Sequence, residues 1–546
     1  MPHLSIPPVL REVAGNPAIV RVEAAWVTAM ASEWAYLVAL LVFAYEIGGV
    51  ANAGIVTTLR MLAPAALAPF IATLADRLPP HVVLAVIQVG RSAAVGFGAL
   101  VLLAGWPPAW IFAVAGIEGL LAVLKRPTTM ALLPALARSP EQLVATNAAT
   151  SVGEAIGVLV GPTVGAVLLA VGGVGLGFAG PALGFAAAAA IVLSIRAPGL
   201  RVARRGIGAS AALSELFGGF AALRRYRSAR LLVALFASQT FVRGLLTVLL
   251  VAAAIELLGL GRAGVGYLNS ALGAGGVLGA IAVMGVVTRQ RLGGAFSGAL
   301  GAWGLPIALI GIFPVSWVAL PLLGIIGIAN AVLDVSGFTL LQRLVPNPLR
   351  ARVFGAFEGI VALTFAIGSL LAASAVELLG LRLALVAAGC LLPVLAIASA
   401  RAVRQADAAA IVPYSQVALL RGVPLFQPLS MVAIEQLAAS LQPVRHAAGT
   451  SVIVQGEPGD AYYLIGSGRA DVLQDGARIA SVGPGNGFGE IALLDDRPRT
   501  ATVRVQEAID GFRLPREAFL EAVTGSPQSA GVAARLVADR IAGARQ

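Results

Sequence analysis

Ala35-Tyr36-Leu37-Val38-Ala39-Leu40-Leu41-Val42-Phe43-Ala44-Tyr45 closes an apolar stretch over 22–45 that is interrupted by Glu23 and Glu33. A helix of roughly 20 such residues crosses the hydrocarbon of a bilayer. Working outward, eleven more stretches of this kind follow, at about 52–74, 82–104, 108–126, 148–170, 174–195, 229–257, 264–287, 293–313, 316–340, 353–376 and 381–400. Gly48-Gly49, Pro79-Pro80, Pro107-Pro108, Gly172-Gly173, Pro314 and Pro346-Asn347-Pro348 fall between them. The first 20 residues are mixed in character and carry prolines, and the first apolar run is too long for a signal h-region, so no cleavable leader is expected.

Composition agrees. Of 546 residues, 58% are hydrophobic and only 12% charged, against about a quarter charged in soluble domains. A soluble enzyme, a disordered regulator and a fibrous protein are excluded. The single cysteine, Cys390, rules out an intrachain disulfide. Three histidines (His3, His81, His446) and no clustered metal ligands argue against an enzyme, a resident metal or a cofactor.

The formal net charge is +11. Residues from Arg401 onward hold 14 basic and 14 acidic side chains, so the whole excess belongs to the apolar part. That placement favours a membrane explanation over nucleic-acid binding. With the N-terminus inside, the inside connections carry Arg11, Arg77, Lys125, Arg126, Arg138, Arg289, Arg291, Arg343, Arg350, Arg352, Arg401 and Arg404. The long middle connection adds eight more arginines between Arg196 and Arg230, whereas the outside connections carry only Arg262 and Arg382. Twelve spans then place both termini in the cytoplasm. Leu132-Leu133 and Pro140 recur 208 residues later as Leu340-Leu341 and Pro348. A two-fold repeat of six spans is a common transporter design.

These residues resemble the major facilitator superfamily, in particular its twelve-span exporters of the proton antiporter type. Leu74-Ala75-Asp76-Arg77 resembles that family's loop motif, although Leu78-Pro79-Pro80-His81 replaces the usual downstream basic cluster. Gly157-x-x-x-Gly161-Pro162-x-x-Gly165 resembles the antiporter motif of the fifth span, where small residues allow close helix approach. Leu133-Pro134 through Asn147 looks like siderophore and drug exporters. Glu33, Arg60, Glu118, Glu154, Arg243, Asp334 and Glu358 are charges within spans, which hydrocarbon tolerates only when they are paired or face water. The resemblance implies that the helices bearing Glu33, Glu118, Arg243 and Asp334 line a central cavity. Glu33 and Glu118 are expected to take part in proton or substrate binding, as carboxylates of raised pKa in an apolar cavity, with Arg243 as counter-charge or anion contact. Buried structural ion pairs are the plainer reading of each. Asp334 and Glu358 are expected to brace an inner gate against Arg343, Arg350 or Arg352, and Asp76 and Arg77 to act as a conformational latch. The six tryptophans read as interface-belt or packing residues.

After Arg401 both charge signs appear and apolar runs shrink to strand length. Residues 401–424 read as a linker with a short helix at 415–420, and 424–441 as helical. Strand-like segments follow at 450–455, 461–465, 470–473, 478–482 and 501–506, with turn glycines between them, predicting a small β-roll. Helices at 515–523 and about 527–543 complete it. Gly487-Phe488-Gly489-Glu490-Ile491-Ala492-Leu493-Leu494, followed by Arg497-Pro498-Arg499-Thr500-Ala501, resembles the phosphate-binding cassette of cyclic nucleotide-binding domains. The resemblance extends from about 425 to 541. It implies a site of Gly489, Glu490, Ile491, Ala492, Arg499, Thr500 and Ala501, in which backbone N–H groups and Arg499 hold the cyclic phosphate and Glu490 accepts from the ribose 2′-hydroxyl. Thr500 can reach the phosphate or the 2-amino group of a syn guanine, so cAMP and cGMP both stay open, with cAMP favoured. Leu536, Val537 and Ile541 are candidates to cover the base or simply to pack.

The expected protein is a polytopic α-helical membrane protein of two six-helix halves plus a cytoplasmic β-roll domain with flanking helices. Its expected divisions are 1–195 and 229–400 for the halves, 196–228 for the middle loop, 401–424 for the linker and 425–546 for the nucleotide domain. The expected function is proton-coupled export of a small amphiphilic molecule across a bacterial-type inner membrane, under allosteric control by cyclic nucleotide. A membrane-anchored sensor that transports nothing is the alternative. A nucleotide-gated channel fits less well, because there is no pore-loop signature.

Overall fold

In a computed structural model, the described residues are 15–75, 78–137, 140–195, 220, 223–287, 292–345, 347–410, 414–429 and 431–524. They divide into two compact units, 1–409 and 410–546. Asp76 and Arg77, much of the middle loop, and Leu536, Val537 and Ile541 lie outside the described residues.

The first unit is helical. Its elements are α1 (Pro17–Ala75), α2 (Pro80–Ala104), α3 (Ala109–Leu136), α4 (Pro140–Leu193), α5 (Arg227–Ala252), α6 (Gly261–Val287), α7 (Gly293–Ile312), α8 (Ser316–Leu344) and α9 (Asn347–Ala410). Among the described residues, eight helical stretches are long and apolar enough to cross a membrane. The stretch Ala109–Leu136, whose middle carries Glu118, Lys125 and Arg126, is not one of them. Three of the longest helices are broken at glycines. Gly49 in α1 has φ 61° and ψ −151°, and Gly173 in α4 has φ 62° and ψ −160°. Gly380 breaks α9 at φ 76° and ψ 158°. Such positive φ values favour glycine because a Cβ would be strained there.

Apolar side chains also cover the outside of this unit. Leu103 is 79% and Leu378 81% exposed, as lipid-facing positions require and aqueous ones rarely tolerate. Leu132, Leu133, Leu340 and Leu341, the repeated pairs, are all fully buried. Gly157, Gly161 and Gly165 of α4 face α1. A Cβ on Gly161 would lie 2.6 Å from the Cβ of Trp34 and 2.7 Å from the carbonyl oxygen of Ala31. On Gly165 it would lie 2.9 Å from the carbonyl oxygen of Ala35. Glycine lets the two backbones meet, as in small-xxx-small contacts. Pro162 stays inside the helix.

The second unit holds α10 (Tyr414–Gly422), a 3₁₀ turn at Pro424–Phe426, α11 (Met431–Ser440), α12 (Glu490–Leu494) and α13 (Arg516–Thr524) around one antiparallel sheet. Its strands are β1 (Gln442–His446), β2 (Ser451–Ile453), β3 (Ala461–Gln474), β4 (Ala477–Val482), β5 (Gly487–Phe488) and β6 (Thr502–Pro515). The order is β1-β6-β3-β4, with β2 also on β6 and β5 also on β3. Ile465, Val503, Val505 and Ile509 fill the inside of the roll, while Phe426, Tyr462 and Phe519 pack the helices onto it.

Several expectations need correction. The expected linker begins ten residues too early, because the part of α9 after Gly380 stays helical to Ala410. The strand at β1 was not expected. The segments 461–465 and 470–473 are one strand, carried across Gly468 at φ 90° by register shifts between Ser467 and Ala470. A glycine here bends a strand instead of ending it.

Candidate functional site

Two places collect the singled-out residues, one in each unit. In the helical unit, Glu33 of α1 and Glu118 of α3 are joined by two arginines, and a lysine adds a third base on Glu33. Arg60 donates to Glu118 Oε2 at 2.8 Å through Nε and to Glu33 Oε1 at 3.2 Å through Nη2. Arg91 donates to Glu33 Oε2 at 2.9 Å and to Glu118 Oε1 at 3.1 Å. Lys125 Nζ lies 2.7 Å from Glu33 Oε2. Glu118 and Arg91 are 0% exposed, whereas Glu33, with a side chain 20% exposed, and Arg60 meet open space. The Arg91 guanidinium also stacks 4.1 Å from the Phe185 ring centroid.

This arrangement revises three expectations. Lys125 is a buried ion-pair partner and not a loop charge. Arg91, absent from the sequence candidates, closes the cluster; its signal was a lone base within the apolar run 82–104. Glu118 is clamped between two guanidinium groups and does not face the cavity, so it lacks the apolar isolation expected of it. Both carboxylates are compensated, as buried charges must be.

A cavity of about 610 Å³ lies beside this cluster. Of the expected pathway residues, Glu33, Arg60, Glu154, Arg243 and Asp334 line it, as does Glu358. Glu154 pairs with Arg126 at 3.7 Å. The Asp334 carboxylate accepts from Asn330 Nδ2 at 2.8 Å, and Asn330 Oδ1 accepts from Trp303 Nε1 at 3.1 Å. The expected brace is not present: among the described residues, Asp334 and Glu358 form no ion pair with Arg343, Arg350 or Arg352. Arg350 Nη2 donates instead to the Gln342 carbonyl at 3.0 Å.

In the second unit, the cassette is built from β5, α12 and the loop into β6. Gly489 turns the chain at φ 98°, and Glu490, Ala492 and Ala501 are buried beside it. Arg499 is 3% exposed. Its Nη1 donates to the Gly489 carbonyl at 2.9 Å, and Nη2 donates to the Ala461 carbonyl at 2.8 Å and to Asp460 Oδ1 at 3.1 Å. A Cβ at position 489 would meet Arg499 Nη1 at 2.6 Å, so the glycine makes room for the arginine as well as the turn. Main-chain bonds fix the loop: Arg499 N donates to the Glu457 carbonyl at 2.8 Å, and Gly456 N donates to the Arg499 carbonyl at 2.9 Å.

Asp460 and Arg513 were not foreseen. Arg513 Nη2 donates to Asp460 Oδ2 at 2.9 Å, so one carboxylate links both arginines. Burial acts to raise the Asp460 pKa, but the Arg513 hydrogen bond and charge, with Arg499 behind, outweigh it and hold it below the usual value. The same bond pushes Arg513 upward.

A family model described as Major Facilitator Superfamily matches residues 24–326, more than half of the chain. The chain belongs to the Major Facilitator Superfamily. A model described as Cyclic nucleotide-binding domain matches residues 443–525. This superfamily member therefore joins a transporter-type membrane part to a C-terminal cyclic nucleotide-binding domain. Among curated proteins, the tail is similar to cAMP-dependent protein kinase regulatory subunits of Aspergillus niger and Emericella nidulans, each 38% identical over 104 residues. Those matches cover 19% of this chain and 25% of each relative, so the chain spans about a quarter of their length. A solved structure of the regulatory domain of Toxoplasma gondii PKA with cAMP is 34% identical. It covers 19% of this chain and 42% of that one, with a TM-score of 0.19.

Proposed function

We propose that this superfamily member is a proton-coupled exporter of a small amphiphilic molecule whose transport is adjusted by cyclic nucleotide, cAMP in preference to cGMP. The observation that carries the regulatory half is Arg499. Its guanidinium is buried at the head of the cassette, and three of its five N–H donors are used on Gly489, Ala461 and Asp460. Two donors are left for an anion, the chemistry a cyclic phosphate requires. Gly489, Glu490, Ile491, Ala492, Thr500 and Ala501 complete the proposed site, with Glu490 on the ribose. The cAMP-dependent relatives favour adenine.

The membrane half of the reading rests on the family and on the cavity. Counting the glycine-broken helices as two passes each, and α3 as one, gives twelve passes in two halves, 1–195 and 229–400, around the cavity. On this reading both termini and the nucleotide domain lie in the cytoplasm of a bacterial-type cell, an orientation that the arginine bias supports. Transport proceeds by rocking of the halves, and nucleotide shifts it by preferring one state. Proton exchange is assigned to Asp334 ahead of Glu33 and Glu118, because Asp334 changes charge without breaking an ion pair. Proteoliposomes with an imposed pH gradient test this. Dissipation of the gradient coupled to export of a fluorescent amphiphile, altered by cAMP on the nucleotide-domain side, is expected. Absence of any coupled flux with or without cAMP refutes it.

A further inference from the structure

Charges in the cavity wall divide into two groups. Those on the α1–α3 side are consumed internally. Both oxygens of Glu33 and both of Glu118 accept from Arg60, Arg91 or Lys125. A ligand could use them only by breaking pairs that are nearly dry. On the other side Glu154 of α4 pairs with Arg126, and the remaining charges are not consumed. Arg243 of α5, Asp334 of α8 and Glu358 of α9 all line the same cavity. Among the described residues none of the three forms an ion pair.

Charges of both signs that form no ion pair in a membrane cavity are held by water or met by a ligand. Most of the rest of the wall is apolar or aromatic, with Trp34, Leu41, Leu250, Ile326 and Phe365 among the lining residues beside a few threonines and asparagines. At about 610 Å³ the space suits a drug-sized molecule. The Trp303–Asn330–Asp334 chain of hydrogen bonds fixes the Asp334 carboxylate in place. We propose that the cavity takes a zwitterionic amphiphile, with its anionic group on Arg243, its cationic group against Asp334 and Glu358, and its apolar body on the aromatic wall. The proposal rests on the transporter reading and names its substrate class.

Three probes with one alkyl chain and different heads separate the charges: an alkylphosphocholine, an alkyltrimethylammonium and an alkyl phosphate. Equilibrium binding to the full chain in nanodiscs is read by tryptophan fluorescence. The phosphocholine is expected to bind at least about tenfold more tightly than either singly charged probe. Arg243→Gln is expected to bring the phosphocholine down to the affinity of the trimethylammonium. Asp334→Asn combined with Glu358→Gln is expected to bring it down to that of the phosphate. Thermal midpoints of the ligand-free variants report folding, and Arg243→Lys, which keeps the charge, should retain most of the preference. Trimethylammonium binding as tight as phosphocholine binding, insensitive to Arg243→Gln, overturns the proposal in favour of a cation cavity. Tighter binding of alkyl phosphate overturns it in favour of an anion cavity. No selective binding of any probe also overturns it. Binding is read without transport, so an absence of flux counts against the exporter reading alone.

Discussion

Replacement of Arg499 by alanine should weaken cyclic nucleotide binding by about a hundredfold and by no less than about tenfold. Three of the five guanidinium donors are used on Gly489, Ala461 and Asp460 at 2.8–3.1 Å, which leaves two for phosphate. A hydrogen bond to a charged group contributes about 1.5–3 kcal/mol, and each factor of ten in affinity is about 1.4 kcal/mol. Losing even one such bond gives the lower bound. Losing both, partly offset by water reaching the phosphate, gives the larger figure. Lysine should fall between. Its ammonium has three donors, so it either holds the Gly489 and Ala461 carbonyls or turns to the phosphate, and it lacks the planar fork. Titration calorimetry with cAMP on the full chain in nanodiscs measures the effect, and the thermal midpoint of the tail checks that the loop remains folded. A folded Arg499→Ala protein with wild-type affinity would show that Arg499 is purely structural, and the cassette argument would fail.

Other residues give sharper stability outcomes than transport outcomes. Glu118→Gln should lower the yield of folded protein, because it leaves Arg60 and Arg91 under-compensated in a site with no exposure; breaking one side of a buried pair costs about 3–5 kcal/mol. A thermal midpoint equal to wild type in detergent would contradict this. Gly161→Leu should cost about 1–3 kcal/mol or more, since its Cβ meets Trp34 and the Ala31 carbonyl inside ordinary contact distance; size-exclusion profiles and melting curves report it. Asp460 has a depressed pKa, so its contribution is complete above the unfolded value of about 3.9 and fades as pH falls through its lower folded value. Melting of the tail should therefore soften below about pH 4 in wild type, and Asp460→Asn should lack that component.

Apolar run length and glycine breaks were legible because they are local. Gly48-Gly49 and Gly172-Gly173 mark the places where α1 and α4 change direction, and the broken helices follow from them. Strand ends were less legible. Gly468 reads as a turn, yet β3 passes through it, because pairing to β6 on both sides outweighs the local preference. The boundary after Arg401 shifted for a related reason. Val403 and Ala406 are buried, so tertiary packing sustains helix where mixed charge suggested a linker.

Buried charge shows most clearly what spacing does and does not reveal. Glu33, Arg60 and Glu118 could be found one at a time as exceptions in apolar runs, but their roles depend on partners 27 to 92 positions away. Physical accounting narrows the search even so. Two carboxylates deep in a helical bundle require bases of comparable depth, and the first four apolar stretches offer only Arg60, Arg91, Lys125 and Arg126. Treating intramembrane charges as sets to be balanced, and not as separate candidates, would have recovered Arg91 and moved Lys125 out of the loop. The cassette obeys the opposite logic. Gly489 through Ala501 is one continuous segment, so its chemistry can be read locally. Asp460, 39 positions before Arg499, enters only when β3 and β6 pair and bring Arg513 beside it.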